Sequence, residues 1–227
     1  MCGRFTLTLD EEALSAAYGV ERLLFDHYPR YNIAPTQDVA VLLGGEDGRR
    51  IEGFRWGLIP SWAKDPSIGN KMINARSETV AEKPSFRAAW KHRRRCLVIV
   101  DGFFEWKRPD QGNGPKQPYW IHMEDRRPFG LAGLWERWKG NGEEIRSCTI
   151  LTGPPNELLR PIHDRMPVIL GHPEEWDAWV DPEVPPEEME GMMRPFSADE
   201  MRASPVSSYV NRPGNEGPEC VERVEGE

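Results

Sequence analysis

Between Arg95 and Leu170 the chain carries a succession of short apolar runs: RCLVIVDGFFEWKR, QPYWIHME, PFGLAGLWERW, IRSCTILTG and RMPVIL. Each is too short for a typical helix, rich in β-branched or aromatic residues, and bounded by turn formers, so each reads as a strand. GRFTLTL, with its period-two alternation, adds a strand at the start. DVAVLLGGEDGRRIEGFRWGLI adds two more around a Gly/Asp turn. Helices are interspersed and do not alternate strictly with the strands. DEEALSAAYGV reads as a short helix with Asp10 as N-cap and Gly19 as its stop. SETVAEKPSFRAAWKHRR is helical in parts and broken near Pro84, PNELLRPIH starts a helical turn, and HPEEWDAWV is amphipathic. Residues 60–75, with Pro60, Pro66 and Gly69, read as a loop. This order favours an α+β or β-rich single domain over a doubly wound sheet.

Length and composition agree. The 227 residues are 38% apolar and 29% charged, enough for one sizeable core. Nine Trp and 21 Pro suggest long loops pinned by aromatics. No stretch approaches the roughly 20 apolar residues of a membrane span. No charged and then apolar leader opens the chain, so the expected location is the cytoplasm. Cys2, Cys96, Cys148 and Cys220 lie far apart, without a CxxC pair or a His partner at metal spacing. Neither a zinc site nor a disulfide framework is expected. Cys96 and Cys148 fall in buried strands and Cys220 in a polar tail.

The net charge of −8 is unevenly spread. Residues 172–227 hold 15 acidic and 4 basic residues, whereas residues 1–171 hold 22 acidic and 25 basic. A strongly basic nucleic-acid coat is excluded, but a local basic groove is not. The chain from about Pro213 reads as a mobile acidic tail after a domain spanning 1–212.

The chemistry-bearing candidates begin at Cys2. Aminopeptidases commonly remove a Met that precedes a residue as small as Cys. The exposed 1,2-aminothiol can condense with an aldehyde through its amine and then close through its thiol to a five-membered thiazolidine. Both groups have ordinary pKa values close enough to neutrality to act as nucleophiles. Cys2 could equally be an accident of the second codon. Asn74 in MINARSET could be a turn residue. Glu105 in DGFFEWK follows an apolar strand, where burial would raise its pKa toward acid/base use, or it could be a solvated strand end. His163, followed by Asp164 and Arg165, fits an acid/base at a strand mouth or a satisfied loop histidine. Arg4, Arg55, Arg76 and Arg165, with Lys71, recur near Pro35, Trp56, Trp62 and Trp106. Arginines interleaved with aromatics are the ingredients of a single-strand groove, where bases stack and phosphates are neutralised. They could also be surface solvation over aromatic core, the simpler reading for Trp106.

MCGRF, YNIAPTQ, RWGLIPSWAKD, INARSET, DGFFEWK and IHDRMPVIL occur in this order. Together, over residues 2 to about 212, they resemble the SOS response-associated peptidase family. The resemblance implies a single α+β domain with a barrel-like, branched β-sheet flanked by helices. It implies a partner, single-stranded DNA containing abasic sites, and a thiazolidine crosslink to the ring-opened sugar. By motif position Cys2 would be the nucleophile and Asn74 would orient the N-terminus and the sugar. Glu105 would open the ring and shuttle protons, and His163 would be the second acid/base. Arg4, Arg76 and Arg165 would contact phosphates, while Pro35 and Trp62 would splay the strand. Ala63 stands where some relatives carry a second aromatic, which implies a smaller wedge. No metal, organic cofactor or membrane is implied, and the expected state is a monomer, cytoplasmic and nucleoid-associated at damage. Two other readings use the same residues: a thiol (auto)peptidase with an N-terminal Cys nucleophile, and a non-covalent reader of modified bases.

Overall fold

The computed structural model describes residues 2–45, 48–109, 114–140 and 142–224. In chain order the elements are β1 (Phe5–Leu7), α1 (Glu11–Tyr18), β2 (Arg30–Ile33), β3 (Asp38–Leu43), β4 (Arg50–Trp56), β5 (Asn74–Arg76), α2 (Arg87–Lys91), β6 (Arg95–Val100) and β7 (Gly102–Lys107). There follow β8 (Gln117–Met123), β9 (Phe129–Gly140), β10 (Glu143–Gly153), β11 (Met166–Pro167), β12 (Ile169–Leu170), α3 (Pro173–Val180) and β13 (Met201–Pro205). Strands β10, β4, β3, β6 and β9 pair in that order, and β9 pairs back onto β10, closing a five-stranded barrel. Closure removes the free edges that would otherwise invite pairing with other chains. The barrel is branched: β10 runs parallel to β4 at Ser147 and Cys148, then parallel to β5 at Ile150 to Thr152, while β11 and β12 attach to β10 and β9. A second sheet, in the order β13-β8-β7-β1-β2, lies beside it. The α+β reading and the branched barrel therefore hold.

Sequence chemistry explains the elements. All six residues of β6 are buried, as expected of a continuous apolar run between two neighbours, β3 and β9. Asp10 caps α1 by accepting from the Ala13 N–H at 2.9 Å, and Gly19 ends it at φ 64°, a left-handed conformation that glycine adopts without a Cβ penalty.

RCLVIVDGFFEWKR, expected as one strand, is two. Val100 pairs with Phe129 in the barrel, whereas Gly102 pairs with Thr6 in the second sheet. Asp101 makes the switch: its carboxylate accepts from the Thr6 and Thr8 hydroxyls and from the Thr8 N–H at 2.6 Å, pinning the corner to β1. Gly102 is required there, because a Cβ would stand 2.0 Å from Nε1 of Trp120. The 60–75 loop also contains more order than expected, a 3-10 turn at Pro66–Lys71 followed by β5. PNELLRPIH forms the helical turn expected, with the Arg160 N–H donating to the Asn156 carbonyl at 3.0 Å and the His163 N–H to the Leu159 carbonyl at 2.8 Å.

The C-terminal segment differs most. The tail expected to be mobile from Pro213 packs through Val224. Asn32 directs its side-chain amide at the carbonyls of Val210, Arg212 and Asn215, at 3.3, 3.0 and 2.8 Å. Cys220 is fully buried in a small cluster with Phe104, Val206 and Val210, and the Val224 N–H donates to Pro205 at 3.0 Å. The polar composition of this strap concealed the apolar side chains that anchor it.

Arg95 is 2% exposed. Its guanidinium donates to the carbonyls of Trp179 (2.6 Å), Asp181 and Val184 (2.8 Å), so it caps the C-terminus of α3 and holds the acidic 174–190 segment on β6. Arg95→Met keeps the stem but orphans these acceptors. The expected loss is about 3 kcal/mol, read as a lower urea midpoint at unchanged slope. A loss under about 0.5 kcal/mol, the scale of an ordinary surface substitution, would contradict this role.

Candidate active site

Three structural branches converge on residue 2. β1 pairs antiparallel with β7 at Phe5 and Phe103, and the Phe104 N–H donates to the Arg4 carbonyl at 2.9 Å. This register brings Glu105, further along β7, beside the N-terminal residues. β5 leaves β10 with Asn74 at its start, and its amide donates to the Cys2 carbonyl at 2.7 Å. β11 joins β10 at Met166, which places His163, three residues earlier, at the same end. The four residues singled out from sequence, Cys2, Asn74, Glu105 and His163, thus come from distant segments into one cluster.

Cys2 is fully buried. Burial first, then the negative charge of Glu105, pushes its thiol well above the ordinary range. Glu105 is 2% exposed, and burial raises its carboxyl pKa, while the N-terminal charge and His163 pull it back. Nε2 of His163 lies 3.9 Å from a Glu105 carboxylate oxygen, too far for a direct hydrogen bond and close enough for a shared substrate atom. Nδ1 lies 3.0 Å from the Arg165 backbone nitrogen and 3.0 Å from the Asp164 carboxylate. A neutral ring accepts from the Arg165 N–H at Nδ1 and carries its proton on Nε2. A charged ring carries a proton on Nδ1 too, which it donates to Asp164 in place of accepting from Arg165. Both forms present an N–H toward Glu105. Oδ1 of Asn74 is buried and accepts no hydrogen bond among the described residues, a costly state for a neutral acceptor and an opening for a donor beside Cys2.

The expected phosphate-binding residues fall into two groups. Arg76 is exposed at the end of β5 and makes no side-chain hydrogen bond among the described residues. It lies two residues beyond Asn74, on the same strand face. Arg165 is engaged by the protein: it forms a two-pronged pair with Glu78, one contact at 2.8 Å, and donates to the Thr152 carbonyl. Its hydrogen bonds pull the Glu78 carboxyl down to about 2. Arg4 is half-buried, donating to Asn32 at 2.7 Å and to the Val210 carbonyl at 3.0 Å, with its guanidinium 6.0 Å from the Trp106 ring. Trp106, read as core, is half-buried and donates to Asn211 at 2.7 Å. Trp62 is 57% exposed and is tethered by a 3.3 Å bond to the Pro84 carbonyl. Pro35 begins a tight turn whose next residue, Thr36, sits at φ 74°. Neither Trp62 nor Pro35 touches the four-residue cluster through a described hydrogen bond.

Sequence reasoning assigned no role to Glu78 or Asn32, although both lie within the quoted motifs INARSET and YNIAPTQ. Their partners are 87 and 28 residues away, so only the fold reveals the pairing. Among the described residues no three His, Cys, Asp or Glu side chains gather as a metal would require. Among them, too, no helix is long and apolar enough to cross a membrane.

The family model "SOS response associated peptidase (SRAP)" matches residues 1–213. The chain belongs to the SRAP family. It is 42% identical over 226 residues to abasic site processing protein YoqW of Bacillus subtilis, covering 98% of this chain and 99% of that one. It is 35% identical over 229 residues to abasic site processing protein HMCES of Gallus gallus, covering 87% of this chain and 67% of that one. A crystallised Bacteroides thetaiotaomicron protein superimposes with a TM-score of 0.87 at 28% identity, over 99% of this chain and all of the other.

Proposed function

We propose that this SRAP protein processes abasic sites in single-stranded DNA by covalent capture through Cys2. The observation that carries this reading is the burial of a second-position cysteine against Asn74, with Glu105 and His163 facing each other beside it at 3.9 Å. The names of the relatives at 42% and 35% identity agree.

With Met1 removed, the Cys2 amine adds to the C1 aldehyde of the ring-opened deoxyribose, and the carbinolamine loses water to an iminium. The thiol adds to that carbon and releases its proton as the C–S bond forms, giving a thiazolidine with a net loss of one water. Glu105, whose carboxyl burial shifts toward the protonated form, gives a proton to the ring oxygen as the sugar opens and the C1 hydroxyl loses its proton to solvent. It then accepts one as the thiol closes. His163 supplies the facing N–H for the departing water. The open acceptor of Asn74 holds the new amine toward the sugar, which removes the cost of leaving Oδ1 unpaired.

Intact mass after incubation with an abasic oligonucleotide tests the reading. The expected gain is one oligonucleotide minus one water on a chain lacking Met1. An unmodified mass on a chain with a confirmed Cys2 terminus would sink it. Arg76→Ala should weaken binding across sequences and lower the salt slope by about 0.7–1. An unchanged slope removes Arg76 from the phosphate path.

Complete burial of Cys2 favours a second activity, self-removal of Met1. In the folded chain Cys2 is shielded from an external aminopeptidase, whereas Glu105 and His163 lie beside it. If so, Glu105→Gln refolded from denaturant with Met1 attached keeps its Met1 while the refolded parent loses it. Equal loss from both would exclude Glu105 from that step.

A further inference from the structure

A cleft of about 350 Å³ opens immediately beyond His163. Its walls include Trp106, Arg108, Lys116, Arg160, His163 and Asp164. Arg108, Lys116 and Arg160 are exposed, and none of their side chains pairs with a carboxylate among the described residues. The only acid on this wall among them is Asp164, whose side chain is 90% exposed and directed at His163. Three cations without a carboxylate partner among the described residues thus share one cleft, in a chain whose net charge is −8.

The placement of these cations is specific. Arg108 follows Glu105 by three residues at the end of β7, about 10 Å along an extended strand. Lys116 enters β8, which pairs with β7. Arg160 precedes His163 by three residues on the turn that presents it. The cleft is therefore one short step beyond both proposed acid/base groups, on the same two segments that carry them. Trp106 forms part of the wall and is braced by Arg4 and by Asn211.

We propose that this cleft seats the backbone of the DNA strand next to the captured sugar, with Arg108, Lys116 and Arg160 as its phosphate contacts. This rests on the crosslinking reading and adds a path for the strand on the side of His163, separate from Arg76. Arg108 and Arg160 offer forked donors to phosphate oxygens, and Lys116 a point charge.

The test uses processed protein with Met1 absent by mass. Binding of a single-stranded oligonucleotide carrying an unreactive tetrahydrofuran site is followed by fluorescence anisotropy between about 50 and 200 mM salt. The combined variant R108A/K116A/R160A is expected to bind about ten-fold more weakly, with the salt slope reduced by about 2, three contacts at ~0.7 each. Condensation of Cys2 with free 2-deoxyribose, which has no phosphate, stays at the parent rate. Parent-like affinity and slope in the variant overturn the proposal and leave covalent capture standing. An equal loss of deoxyribose capture also overturns it, because the cations would then act by supporting the pocket. A parent that condenses with no aldehyde defeats the crosslinking reading instead, and anisotropy still decides whether the cleft binds DNA.

Discussion

Cys2→Ala is expected to eliminate the heat-stable adduct entirely while leaving weak non-covalent binding to single-stranded DNA. The α-amine that this variant keeps can still form an imine with the sugar, but an imine hydrolyses and survives denaturation only after chemical reduction. The thiol makes the difference, because ring closure converts a reversible C=N bond into two single bonds on one carbon. Cys2→Ser should behave similarly, with at most a reducible Schiff base. The phosphate contacts lie elsewhere, so affinity for an unreactive analogue should match the parent. Denaturing gels after heating, with and without borohydride, read all three states. A heat-stable adduct persisting in Cys2→Ala without reductant would place the covalent bond on another residue.

Glu105→Gln should slow crosslinking by about 10²–10⁴-fold, the usual contribution of a general acid/base. The same substitution should stabilise the fold at neutral pH. Burial raises the Glu105 carboxyl above its ordinary value, so ionising it in the folded chain costs more than in the unfolded chain. The parent therefore loses stability as pH rises from the ordinary carboxylate range through the raised folded value. The substituted amide cannot ionise and avoids that loss. The Tm advantage of Glu105→Gln should be largest above the raised value and vanish at acid pH, where both side chains are neutral. A slower and more stable variant is the signature of a charge retained for chemistry at the expense of stability. A rate within a few-fold of the parent, or a Tm difference independent of pH, would remove Glu105 from this role.

The legible parts of the molecule were those written in local chemistry. Asp10 and Gly19 bracket α1 because a cap and a left-handed stop act within a few residues. β3 and β4 were readable because short strand-like runs flank a Gly/Asp-rich stretch of sequence, and the two pair antiparallel. β6 was readable as a strand, but its end was not, because Asp101 leaves the barrel to satisfy Thr6 and Thr8, more than ninety residues away. β5 was missed because three residues at the end of a turn-rich segment carry no periodicity, and it exists only through pairing with β10. The order of six motifs pointed to Cys2, Asn74, Glu105 and His163. It could not show that Arg165 and Arg4 are held by Glu78 and Asn32. An arginine near an aromatic reads the same whether its partner is a phosphate or a carboxylate of its own chain.

The position of β1 between β7 and β2 sets a timetable for the reactive end. The N-terminus leaves the ribosome first, yet its neighbours are made late: Glu105, then His163, then the strap held by Asn32. At about 5–20 residues per second, roughly 10–40 s separate synthesis of Cys2 from that of the strap. During that interval the first peptide bond is open to any aminopeptidase nearby. Once β1 is paired between β7 and β2, Cys2 is fully buried. A tag or extension ahead of Cys2 would therefore have to be cleared while the chain is still growing, or by the pocket that the chain builds around it.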